Sequence, residues 1–429
     1  MRFSVLTLGC KVNQYETRAV ESLLTGRGHS HCGAEEADVI IVNTCAVTAE
    51  SEKKSLRSVR RMKALNPSAA VAVCGCCSQI GPDSFSAAGA DVVFGTADKD
   101  LFVSEVERIS ADPIRKGLRR TGDPRSREEF ECLPAGAFAG RTRAVLKIQD
   151  GCDNFCSFCV VPYARGKSRS LPLARAESEA RELAGSGYRE IVLTGIEIAS
   201  YGADLENRPS LIDLSRAVSG AAPEARIRLG SLDPVIITED FCRKLAGIGA
   251  VCRHFHLSLQ SGCDATLKRM GRKYDTGSFY ASLLLLRKYF PGCAAACDLI
   301  VGFPGETRAD HSETMAFIRK CSFAFMHVFP FSARPGTEAA EAGGFLPNEI
   351  KARRAEEAGK AAAEMRDSYL RSRVGSTESV LFEKCADGGS SGRGDNFCPV
   401  TVPGAFNRGT VENVLISAVS RGALAGTVV

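Results

Sequence analysis

Three cysteines constrain this chain more than any other feature: Cys152, Cys156 and Cys159, in Cys152-Asp153-Asn154-Phe155-Cys156-Ser157-Phe158-Cys159, directly after an apolar strand candidate. Thiolates at this spacing in a strand-end loop can hold three corners of a 4Fe–4S cluster. No fourth Cys or His lies nearby in sequence. Structural zinc needs four closed ligands, so a lone trio fits an open site, where the free iron accepts a substrate or cofactor.

The wider composition agrees with metal or redox chemistry. The chain has 429 residues, enough for about two to four domains, and 18 of them are Cys. No apolar run approaches the roughly 20 residues that cross a bilayer. The start, MRFSVLTLGCKVNQYE, lacks the pattern of a secretory signal, so the expected location is the cytoplasm, a reducing compartment that disfavours a disulfide framework. Cys242, Cys252, Cys293, Cys297 and Cys321 sit in apolar stretches and read as small core residues. A net charge of +5 permits a polyanionic partner without demanding one.

Periodicity predicts an α/β multidomain chain. Residues 1–110 alternate short apolar strands (3–8, 39–42, 70–73, 91–94) with helical segments, as in a parallel sheet. Residues 111–141 carry charge, Gly and Pro with little periodicity and read as a linker. From 142 to 373, six strand candidates (144–148, 190–193, 226–229, 254–259, 296–301, 325–329) alternate with helices, which suits a partial (β/α)6 barrel with its chemistry at the C-terminal strand ends. Residues 374–429 hold short β runs (379–383, 397–402, 410–418, 425–429) between Gly/Ser/Asn clusters, as in a small antiparallel barrel of the oligonucleotide-binding kind.

A second cysteine set is dispersed. Cys10, Cys45 and Cys76 each follow a strand of the first domain, and in a parallel sheet those loops converge on one edge. Three buried strand-end cysteines explain them as well as a shared metal site does.

The central C-x3-C-x2-C run, with Phe158 before its last cysteine, resembles the radical S-adenosylmethionine superfamily. Leu8-Gly9-Cys10-Lys11-Val12-Asn13-Gln14-Tyr15-Glu16-Thr17, Val42-Asn43-Thr44-Cys45 and Gly75-Cys76-Cys77-Ser78-Gln79 are similar to the N-terminal domain of its methylthiotransferases. The resemblance implies a flavodoxin-like N-terminal domain, a TIM-like radical S-adenosylmethionine barrel and a TRAM tail that grips transfer RNA. It also implies two 4Fe–4S clusters: one on Cys152, Cys156 and Cys159 that cleaves S-adenosylmethionine, and an auxiliary one on Cys10, Cys45 and Cys76 that takes part in sulfur insertion. In that family a deoxyadenosyl radical abstracts hydrogen from C2 of the target adenine, a second S-adenosylmethionine supplies the methyl, and an electron donor such as a flavodoxin with its reductase is needed. Phe158 would lie beside the adenine of the cofactor, and Gly195, Arg228, Ser231, Gln260 and Gly305, all at strand ends, are candidates to line its pocket. Cys74 and Cys77, beside Cys76, depart from the family pattern.

The motifs KVNQYET, IQDG, PYARG, HFHLSLQSG and HVFPFS with RPGT look like the branch acting on threonylcarbamoyladenosine beside the transfer RNA anticodon. Glu197 departs from it, standing where the branch more often has His or Asn. The relatives act on isopentenyladenosine or on a ribosomal-protein aspartate; a non-enzymatic metal-binding protein that docks on RNA is the reading from another class. Candidate RNA contacts are Lys53, Arg57, Arg60 and Arg61 along one helix, and Arg165, Lys167 and Arg169 after the cysteine loop.

Overall fold

A computed structural model describes residues 1–111, 118–134, 142–386 and 388–429. The N-terminal strands form a six-stranded, all-parallel sheet in the spatial order Ser30–His31, Arg2–Thr7, Val39–Thr44, Ala70–Gly75, Val92–Phe94, Leu118–Arg120. The two middle strands, VIIVNT and AVAVCG, are buried throughout, because helices cover both faces of the sheet. One face packs Val59, Met62 and Phe85, and the other Val20, Phe102 and Val106. The strand order reverses between Arg2–Thr7 and Val39–Thr44, the flavodoxin-like arrangement, and ligand crevices open at the C-terminal ends beside such a switch. The last strand, Leu118–Arg120, comes from the stretch read as linker.

The six strands predicted for the central region are all present, each within two residues of the expected bounds, in two parallel sheets. Arg143–Lys147, Glu190–Thr194 and Arg226–Leu229 make the first. Ser231–Leu232, His254–Gln260, Ala294–Val301 and Phe325–Pro330 make the second, and an Ile227–Val251 bridge spans the break at Gly230. Strands in chain order with helices between them build a partial barrel. Along His254–Gln260 the side chains alternate: Phe255, Leu257 and Leu259 are buried under the helices, while His254, His256, Ser258 and Gln260 face the lumen.

The tail is a closed five-stranded barrel around Val380, Phe382, Val400, Val414, Ile416 and Leu424. Its strand Gly389–Gly394 was not expected, since GSSGRG has no β-forming side chains. Glycine is required there, because a Cβ at Gly392 would stand 2.2 Å from the Leu381 carbonyl oxygen. No helix among the described residues is long and apolar enough to cross a membrane.

Candidate functional site

The central cysteine loop is shaped by backbone contacts. Gly151 has φ +73, and a Cβ there would fall 1.8 Å from the Lys167 carbonyl oxygen, so only glycine lets the loop lie against 166–168. The Cys152 N–H then donates to the Gly166 carbonyl (3.0 Å), and Ser157 is tied to Met270 and Arg269. Arg272 reaches into the loop, donating to Cys156 Sγ (3.1 Å) while its other arm holds Asp233 (2.8 Å). Burial pushes the thiols of Cys152 and Cys159 up to about 11 and about 12.

The second trio gathers where the topology directs it. Cys10 and Cys45 follow the two strands flanking the switch point, and Cys76 follows the next strand. Gly9, at φ +102, brings its chain against Cys45: a Cβ would lie 2.9 Å from Cys45 Sγ. Asn13 ties the first two loops together by donating to the carbonyls of Leu8 and Thr44, both at 2.9 Å. Cys10 is exposed, whereas Cys45 and Cys76 are buried. Cys10 and Cys45 are charge neighbours of Cys76. Cys74 points into the opposite core with Phe94 and Phe102, whereas Cys77 shares a core with Cys45 and Cys76 and has Glu52 and Arg334 as further charged neighbours.

Neither trio suits a single metal ion. Tetrahedral zinc at about 2.3 Å would hold its sulfurs about 3.8 Å apart. Among the described residues, the one group with three such ligand atoms within 4.8 Å of each other is His256, Asp298 and His327, not cysteines.

A buried charge network joins the two loops. Arg165 is fully buried and donates to Cys76 Sγ (3.2 Å), Glu16 (2.7 and 3.1 Å), Asp150 (2.9 Å) and Asn13 (2.8 Å). Lys147 bridges the same carboxylates at 2.8 Å each, and Arg169 adds a third cation 3.6 Å from Asp150. Burial alone would raise the Glu16 carboxyl, but Arg165 and Lys147 outweigh it and hold Glu16 at about 2. Asp150 is lowered by Lys147 and Arg165 against the same burial. Three cations against two carboxylates leave the network one positive charge in excess, and although Arg165 favours the Cys76 thiolate, burial still pushes that thiol up to about 12.

These contacts revise three expectations. Arg165 and Arg169 do not face RNA: both are buried, and the Arg169 guanidinium donates to the carbonyls of Lys167 (2.8 Å) and Arg165 (2.9 Å). Arg228 does not face a cofactor pocket; it pairs with Glu190 (2.7 Å), donates to the Asp395 carbonyl of the tail barrel (2.8 Å) and stacks on Phe397. Of the other pocket candidates, Phe158 packs near Phe303 and Met270, and Ser231 meets Ser258 at 3.1 Å. Gln260 and Gly305 have positive φ at their strand ends. Gly195 lies against Gln149, where a Cβ would meet its Oε1 at 2.8 Å. Glu197 caps the next turn, accepting from the Ala199 N–H (3.0 Å).

Lys53, Arg57, Arg60 and Arg61 are exposed along Ala49–Leu65, a helix started by Thr48, whose hydroxyl accepts from the Ser51 N–H. Lys167 is exposed as well. Beside the cysteine loop, Phe155 and Tyr163 present rings 40% and 48% exposed with centroids 5.7 Å apart, and Arg125 lies 4.8 Å over Phe155. Sequence reasoning passed over this pair, although aromatics interleaved with Arg and Lys were the available signal.

Comparison with known proteins follows the same division. A family profile described as the radical SAM superfamily matches residues 146–318, and one described as uncharacterized protein family UPF0004 matches residues 2–95. A curated relative, threonylcarbamoyladenosine tRNA methylthiotransferase MtaB of Bacillus subtilis (strain 168), is 40% identical over 78% of this chain and 74% of its own length. The protein of the same name from Chlamydia pneumoniae is 34% identical over 100% and 98%. A tRNA-2-methylthio-N(6)-dimethylallyladenosine synthase of Clostridium tetani is 32% identical over 81% and 78%. Among solved structures, the radical S-adenosylmethionine methyltransferase TsrM of Kitasatospora setae shares the fold, with TM-score 0.58 at 16% identity, over 91% of this chain and 80% of its own.

Proposed function

The chain belongs to the threonylcarbamoyladenosine tRNA methylthiotransferase family of radical S-adenosylmethionine enzymes, and from that membership we propose that it converts N6-threonylcarbamoyladenosine beside the anticodon of transfer RNA into its 2-methylthio derivative. The radical S-adenosylmethionine domain carries a 4Fe–4S cluster and uses S-adenosylmethionine. Cys152, Cys156 and Cys159 hold that cluster, and Cys10, Cys45 and Cys76 hold a second. When bound, the clusters supply the electron that splits the sulfonium cofactor and the site from which sulfur is delivered.

The chain's own part is placement. The Glu16–Arg165–Asp150 bridge fixes one cysteine loop relative to the other, and this single observation supports the reading most strongly. Exposed Phe155 and Tyr163 offer stacking faces for an unstacked base, and Lys53, Arg57, Arg60, Arg61 and Lys167 offer phosphate contacts. The tail barrel adds a further RNA-gripping surface, and a flavodoxin system in the cytoplasm serves as electron donor.

Arg272 tunes the first cluster, since a cation donating to a ligand sulfur stabilises the reduced, more negative form. Arg272→Met is expected to lower the midpoint potential by on the order of tens of millivolts in redox titration followed by electron paramagnetic resonance, with Lys restoring part of it.

Mass spectrometry of transfer RNA nucleosides decides the substrate. Deleting the gene is expected to eliminate 2-methylthio-threonylcarbamoyladenosine and leave its precursor in place. An unchanged peak would overturn the assignment, and loss of the isopentenyl counterpart instead would point to the sister branch.

A further inference from the structure

The barrel lumen holds a group of polar side chains that neither cysteine trio uses. His254 and His256 face it from one strand, Asp298 from the next and His327 from the last. Nδ1 of His327 donates to Asp298 Oδ1 at 3.1 Å. Nε2 of His256 lies 3.1 Å from Asp298 Oδ2 as an ion-pair contact, and Nδ1 of His254 is buried without a hydrogen-bond partner among the described residues. Lys11, the first residue of its helix and next to Cys10, is exposed at the rim of this group and near enough for its charge to act on Asp298, His254 and His327. Among the described residues it makes no hydrogen bond or ion pair. The other cations nearby are spent, Arg228 on Glu190 and Arg143 on Glu383 (2.9 Å).

An apolar ligand laid against this group is a poor match, because it would strip the hydration of the exposed Lys11 ammonium with nothing in return. A divalent cation is also disfavoured at Asp298, with Lys11, Arg143 and Arg228 all close to one another. An anion that also carries a hydroxyl would satisfy all of these groups.

We propose that Lys11, His256 and His327, arranged around Asp298, form the subsite for the carboxylate and hydroxyl of the threonylcarbamoyl side chain on the target adenosine. The proposal rests on the transfer RNA reading above and names the residues that set its specificity. Lys11 pairs with the carboxylate, and the Asp298–imidazole set meets the hydroxyl and urea groups. An isopentenyl group offers none of these contacts, so the same residues select against it.

The test uses reconstituted protein and anticodon stem-loops that differ at the target adenosine alone: the threonylcarbamoyl acid, its methyl ester, and the isopentenyl form. Wild type is expected to bind the acid roughly ten- to a hundredfold more tightly than the ester. Lys11→Met should bind the two alike, Lys11→Arg should recover part of the preference, and His327→Phe, on the far wall, should weaken acid binding several-fold. Iron content equal to wild type reports that the neighbouring Cys10 site survives the change. The subsite is refuted if wild type does not distinguish acid from ester, or if Lys11→Met and His327→Phe both keep the wild-type ratio. The substrate reading fails separately, if wild type methylthiolates the isopentenyl stem-loop and leaves the acid untouched.

Discussion

Replacing Cys156 by alanine is expected to abolish S-adenosylmethionine cleavage and remove roughly four of about eight irons, whereas replacing Cys10 by alanine should remove a similar number and leave cleavage running. The two variants separate the clusters by function. Cys156 belongs to the loop held by Arg272 and the 268–272 turn, and without its thiolate an iron loses its anchor. Cys10 is the exposed member of its trio, so its loss is expected to cost the fold little and to remove only the proposed site of sulfur delivery. Formation of 2-methylthio product should fall at least about a thousandfold in both, since enzymes gain roughly a millionfold or more over the uncatalysed reaction. Cys74→Ala and Cys77→Ala serve as controls, because Cys74 faces the opposite core and Cys77, which shares a core with Cys45 and Cys76, stands outside the proposed ligand set. Both should keep the full iron complement. Iron analysis with chromatography of 5′-deoxyadenosine and of the modified nucleoside reads all four. If Cys10→Ala loses cleavage together with product, the two trios do not hold independent clusters.

What the sequence made legible follows from how local each signal is. The six barrel strands were visible because each is a short apolar run between turn residues, while the lumen-facing set of HFHLSLQ emerged only from the burial pattern of the folded strand. Convergence of Cys10, Cys45 and Cys76 followed from the parallel sheet alone. Several short strands escaped, Ser30–His31, Leu118–Arg120, Ser231–Leu232 and Gly389–Gly394 among them. Leu118–Arg120 is an edge strand whose two arginines read as a solvated loop, and Gly389–Gly394 pairs through its main chain with almost no side chains to announce it. The misread arginines share a different cause. A cation near a cysteine loop reads as a phosphate contact when its partners are invisible, and Glu16 lies 149 positions from Arg165. Arg228 does point inward, as its position suggested, but at that level Phe397 of the tail barrel fills the space. Motifs such as KVNQYET, IQDG and PYARG were quoted for their resemblance alone. The structure gives them a shared physical reason, since their charged residues Glu16, Asp150 and Arg165 form one network.

That network predicts the largest stability effect in the molecule. Arg165→Met would leave the Glu16 and Asp150 carboxylates buried with Lys147 and the more distant Arg169, and would remove the donor to Cys76 Sγ. Breaking a buried pair by removing one partner typically costs about 3–5 kcal/mol, chiefly through the charge left uncompensated. The expected result is a lower urea midpoint for the N-terminal sheet and barrel together, because the network spans both. The pH dependence has a definite sign. Glu16 is held at about 2 in the folded protein against roughly 4.3 when unfolded, so its contribution is complete above about 4.3 and fades as pH falls towards 2. The gap between wild type and Arg165→Met should therefore be widest near neutrality and narrow below about pH 4. Adding Glu16→Gln to Arg165→Met removes one orphaned carboxylate and should recover part of the loss, a coupling that a double-mutant cycle measures directly. An Arg165→Met protein with the wild-type urea midpoint at pH 7 would show that the bridge contributes nothing to holding the two cysteine loops together.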